Sequence, residues 1–169
     1  MLIKYQVNEN DQYYRSPSEQ PEKQYNYLFM GTSSDTLRIN EMSRSLFEIF
    51  NNRDGKPNCN LLASLCIPEA LLIKRTETEH IVYNLISCIE SRQKILTNGT
   101  LIEFEEHEIL GQNRILTNIA QRYSEYEKSG IIEGRKFRQK GHKFIQFVKT
   151  NEDWKICALI WEDERQFFL

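Results

Sequence analysis

From Asp35 to Asn98-Gly99 apolar residues recur mainly at a spacing of three and four, and beyond it at a spacing of two. That switch separates a helical half from a strand half. From Asp35, which can cap a helix, the positions Ile39, Met42, Leu46, Phe47, Ile49 and Phe50 fall on one helical face until NNRDG stops it. Pro57 and Asn58 open a shorter helix carrying Leu61, Leu62 and Leu65, and Ile67-Pro68 breaks it before the strand-like ALLIKR at 70–75. A second long helix is expected over 78–98. Its stripe runs Ile81, Val82, Leu85, Ile86, Ile89, Ile95 and Leu96, and Asn98-Gly99 supplies the left-handed stop.

After Gly99, turn chemistry at GQNR (111–114), SGIIEG (129–134) and TNED (150–153) divides the chain into four long strands. Helices followed by a strand meander predict an α+β fold in which a curved antiparallel sheet wraps around the N-terminal helices. Residues 1–34 are polar, contain Pro17 and Pro21, and show no helical period. They read as an arm, with Ile3, Tyr5 and Val7 as an edge strand, ahead of a domain at 35–169.

The register of the last hairpin assigns faces. With TNED as its loop, Lys149 lies opposite Trp154, Phe147 opposite Ile156 and Ile145 opposite Ala158. Trp154, Ile156, Ala158 and Ile160 then face the helices, with Trp154 as a core anchor. Trp161, an odd number of residues away, faces outward unless a bulge intervenes. With Tyr123, Phe144 and Leu159 it forms an apolar patch, expected to be a homodimer interface. Glu162, Asp163 and Glu164 read as a solvated strand end, and Glu125 and Glu127 pair with Arg138 and Lys136 across the preceding hairpin. Ala120 and Gly141 are expected where the sheet comes close to the helices.

Across GQNR, Glu103 would oppose Arg122 and His107 would oppose Asn118, with Ser124 and Tyr126 further along the same inward face. Polar groups there must satisfy one another or line a wet pocket. They form either an ion pair of Glu103 with Arg122 at the sheet edge, or a ligand-pocket floor with Tyr126 and His107 as hydrogen-bonding or proton-transfer groups.

Charge and composition narrow the function classes. With 22 Lys and Arg against 24 Asp and Glu in 169 residues, the net charge is −2, which does not suit a phosphate-tracking surface; nucleic acid is not an expected partner. No apolar run approaches the roughly 20 residues that span a bilayer, and the N-terminal stretch lacks the apolar core of a signal peptide. Membrane is therefore not an expected partner either, and a cytoplasmic location is expected. Cys59, Cys66, Cys88 and Cys157 form no C-x-x-C pair, and His80, His107 and His142 have no metal-ligand spacing. Reduced, packed thiols are expected, with no metal and no cofactor.

In order, FNNRDG, IPEALLIKR, LTNGT, NRILTNIAQRYSEYEKSG, GRKFRQKGHKFIQFV and WKICALIWEDE resemble the nuclear transport factor 2-like superfamily, and within it the SnoaL-like and ketosteroid-isomerase-like bacterial branches of unassigned function. The likeness spans about residues 36–166 and rests on Ala120, Ser124, Tyr126 and Glu127 and on the strand at Trp154. It implies a cone-shaped sheet around the helices, often with a pocket and often dimeric through the outer sheet face. The family's isomerases and cyclases place inward Asp carboxylates, whereas Asp11, Asp35, Asp54, Asp153 and Asp163 here fall at tails, caps, turns or strand ends. No catalytic assignment carries over. Three functions stay open: a dimeric module binding a small apolar ligand, a cofactor-independent isomerase, cyclase or dehydratase, and an interaction protein with a filled cone.

Overall fold

The computed structural model describes residues 32–151, 153–165 and 167–168. The edge strand expected at Ile3, Tyr5 and Val7 lies outside the described residues. Helix α1 spans Ser33–Glu48 and begins three residues earlier than a cap at Asp35 implied. Thr32 is the N-cap, and Asp35 at the third helical position closes a capping box by accepting from the Thr32 backbone N–H. A 3-10 turn at Cys59–Leu61 leads into the single-turn helix α2, Leu62–Leu65. Strand β1 (Cys66–Arg75) starts immediately, so Pro68 lies within it. The helix expected over 78–98 is shorter. His80–Tyr83 form strand β2, and α3 runs Leu85–Thr97, capped by the Asn84 side chain on the Ser87 N–H. Ile81 and Val82 fit a helical stripe by spacing, but their β-branched side chains lie along β1 instead.

The remaining strands are β3 (Leu101–Ile115), β4 (Ile119–Ile132), β5 (Arg135–Lys149), β6 (Trp154–Asp163) and the short β7 (Phe167–Phe168). The sheet order is β2-β1-β6-β5-β4-β3, with β7 on β5. The sheet is mixed rather than wholly antiparallel, because β1 runs parallel to β6. The helices pack on one face: Ile39, Met42 and Leu46 of α1 share a core with Ile145, Phe147, Trp154 and Ile156. Trp154 anchors it, 1% exposed, and its indole N–H donates to Asp35 Oδ1 at 2.8 Å.

Three departures from the expected register reposition side chains. GQNR is not a turn; β3 continues through it to Ile115, the hairpin loop is 116–118, and Asn113 lies opposite Arg122. At the next hairpin both strands run to a two-residue turn at Glu133-Gly134, with φ of 51° and 74°, the left-handed pair that two-residue turns demand. Glu127 therefore opposes Lys140, and its ion pair with Arg138 is diagonal. The third departure is a bulge in β6. Phe147 pairs with Ile156 as expected, but Gln146 pairs with Ala158, which leaves Cys157 as the extra residue. One added residue inverts every later side chain. Leu159, Trp161 and Asp163 turn inward, and Ala158, Ile160 and Glu162 turn outward. Trp161 is 6% exposed and stacks on Tyr83 with ring centroids 6.2 Å apart.

Candidate functional site

The expected inward group divides. Arg122, Ser124 and Tyr126 are buried on the inner face of β4, as their alternation implies. Their partners differ from expectation. Glu103 is exposed at a bulge of β3 with φ of 52°. His107 is exposed opposite Glu127, and Asn118 is exposed in the hairpin loop. Arg122 instead grips Glu108 with two parallel bonds of 2.8 and 2.6 Å, and also donates to Asn40 of α1 and to Asn113. Ser124 donates to the same carboxylate. The guanidinium crosses β3 at Gly111, where any Cβ would collide with it. This satisfied network clamps α1 to the sheet and does not border the cavity described next.

Between α3 and the sheet lies a cavity of about 260 Å³. Its wall is apolar, with Leu72, Ile95, Leu96, Leu101, Phe104 and Trp161 among the lining side chains. Its polar groups are Gln139 and six charged side chains, Lys74, Arg92, Glu106, Lys128, Lys143 and Asp163. None of these six was singled out as an inward group by the register read from sequence. Lys143 donates to Glu106 at 2.6 Å, and both side chains are less than 10% exposed. The Lys143 ammonium also lies 4.3 and 4.2 Å from the ring centroids of Phe47 and Tyr126, a cation over two aromatic faces. Asp163 joins three partners. Lys128 and the Tyr126 hydroxyl each donate to its Oδ1 at 2.6 Å, and Lys74 lies 3.0 Å from Oδ2. Tyr126 is fully buried and reaches Asp163 across Gly141, the residue opposite it on β5. Gly141 is thus needed for the Tyr126 ring and not, as expected, for an approach of the helices.

The electrostatics follow from burial and pairing. Burial pushes the Asp163 carboxyl up, but Lys128 and Lys74, with hydrogen bonds from Lys128 and Tyr126, outweigh it and hold the group well below the usual carboxylate range. Burial lowers Lys143 and Lys128, against the opposing pull of Glu106 on the first and of Asp163 and Glu106 on the second. Burial raises Tyr126 far above a free phenol, so it stays a hydrogen-bond donor. Burial disfavours the thiolates of three cysteines: it pushes Cys59 up to about 11 and Cys66 up to about 12, and raises Cys88. Among the described residues, no group of three or more His, Cys, Asp or Glu side chains is placed to hold a metal ion, and no helix is long and apolar enough to cross a membrane.

No family model matches the chain, and no curated protein matches it in sequence. Solved structures do. A nuclear transport factor 2-like superfamily protein from Salmonella enterica serovar Typhimurium is similar with a TM-score of 0.65, at 15% identity, over 78% of this chain and 92% of its own. A protein of unknown function with the same description from Silicibacter pomeroyi gives a TM-score of 0.55 at 12% identity, covering 80% of this chain and all of its own. A hexachlorocyclohexane dehydrochlorinase gives 0.67 at 10% identity, over 80% of this chain and 89% of its own. Identities this low carry architecture and not activity. The helices packed inside a curved mixed sheet, and these structural likenesses, give the chain the nuclear transport factor 2-like fold.

Proposed function

We propose that the protein is a small-molecule-binding module that takes its ligand in the cavity between α3 and the sheet. The cavity itself carries this reading: an apolar wall around a few fixed polar groups is the usual make-up of a ligand site. At about 260 Å³ it is a little smaller than the roughly 300–1,000 Å³ of drug-sized ligand pockets, so the ligand is small. A filled cone accords poorly with this space. The module works as a homodimer through the outer sheet face, and its four free cysteines accord with the reducing cytoplasm.

A second reading, cofactor-independent isomerase, cyclase or dehydratase chemistry, is favoured by one observation, the placing of Lys143 in the cavity with its pKa lowered by burial. A general base works best with its pKa near the operating pH. Asp163 fits that role poorly, because its lysine partners hold it ionised and weakly basic.

The test is native mass spectrometry of the purified chain, with a thermal-shift screen of small apolar fragments. The parent should carry or accept a ligand. Ile95→Trp, which fills the cavity from α3, should lose that binding while its circular dichroism stays unchanged. A parent that accepts nothing, or an Ile95→Trp variant that binds as well as the parent, overturns the reading.

A further inference from the structure

The charges in the cavity do not balance. Four cations line it, Lys74, Arg92, Lys128 and Lys143, against the two carboxylates Glu106 and Asp163. The pairing also leaves one cation aside. Lys143 is engaged by Glu106, and Lys128 and Lys74 are engaged by Asp163. Arg92, projecting from α3, makes no hydrogen bond or ion pair with any of the described residues. Its guanidinium carbon lies 5.7 Å from the centroid of the Trp161 ring, and Tyr83 stacks on that same indole. An arginine that lies over an aromatic ring without a carboxylate partner keeps N–H donors for an anion, and it can meet a planar carboxylate with two parallel bonds.

We propose that the ligand is a small amphipathic carboxylic acid, its carboxylate held by Arg92 and its apolar body lying against Leu72, Ile95, Leu96 and Phe104. This rests on the binding function proposed above and names its ligand class. A carboxylate fits better than a phosphate because one guanidinium is free rather than several cations.

Isothermal titration calorimetry on the full chain separates the possibilities, using phenylacetate and hexanoate, their amides phenylacetamide and hexanamide, and phenyl phosphate. The acids should bind saturably and at least about tenfold more tightly than their amides, since one charge-assisted bidentate contact is worth that much. Arg92→Gln should remove the preference for acid over amide, bringing the two affinities together. Arg92→Met keeps the side-chain stem on Trp161, serves if Arg92→Gln folds poorly, and should behave the same way. Amides that bind as tightly as acids, or a neutral molecule co-purifying in native mass spectrometry, would overturn the acid assignment and leave the binding reading intact. Phenyl phosphate binding more tightly than phenylacetate would overturn it in favour of a phosphate ester. Loss of acid binding in Ile95→Trp but not in the Arg92 variants would move the anion contact elsewhere in the cavity. If no probe binds, the acid assignment falls, and the native mass spectrometry and fragment screen described above decide the binding reading.

Discussion

Lys143 occupies a costly position, its ammonium between two aromatic faces and bonded to a carboxylate as deeply buried as itself. Desolvating two charges commonly costs more than their attraction returns, so an apolar pair of similar volume is often as stable. Lys143→Met alone strands Glu106 in the interior and should lower unfolding free energy by about 3–5 kcal/mol. Lys143→Met with Glu106→Leu should recover most of that loss in urea titrations. Full recovery together with lost ligand binding would mark the pair as serving the cavity. A single variant as stable as the parent would mean that Glu106 reaches water and the pair is not desolvated. The inward position of Lys143 is legible in the sequence, because it shares the parity of Ile145 and Phe147 on one strand with no bulge between them.

At the scale of elements, Gly141 and Tyr126 form a cross-strand unit in which the glycine makes room for the ring. A Cβ at Gly141 would collide with the Tyr126 hydroxyl and the Glu162 carbonyl. Gly141→Val should therefore cost about 1–3 kcal/mol by overpacking, and Tyr126→Leu in the same chain should restore part of it; a Gly141→Val variant melting with the parent would place the ring elsewhere. Such pairings decide what the sequence reveals. The helix-to-strand switch, the core face of α1, the TNED hairpin and the role of Trp154 were all legible, because periodicity and turn residues report them directly. GQNR misled because Gly111 resembles a turn glycine, whereas it is a strand glycine under the Arg122 guanidinium. The Cys157 bulge leaves no local signal: KICALIW alternates acceptably in either register, and only the packed sheet selects the one that buries Trp161. Asp163 was lost from the candidate site by that single residue.

For the whole molecule, the bulge changes which residues a partner would meet. Leu159 and Trp161 face the cavity, so the interface expected around them moves; Tyr123 and Phe144 stay outside, their ring centroids 5.4 Å apart. They extend into a cross-strand row with Ile160 and Ile73. Phe144 is 45% exposed and Ile160 46%, and the ion pair of Arg138 with Glu127 and the contact of His142 with Glu164 lie toward one end of the same face. An apolar centre with a charged border is the usual layout of a protein interface. A twofold axis near Phe144 would set the row of one chain against that of the other and remove both from water. Light scattering after size exclusion should give a dimer mass for the parent at micromolar concentration. Phe144→Glu would place two like charges face to face near the axis and should give a monomer with the parent's circular dichroism. Trp161→Glu should fail differently, by burying a charge under Tyr83 and Arg92 and lowering the melting temperature. A monomeric parent defeats the dimer, and a dimeric Phe144→Glu variant moves the interface off this face.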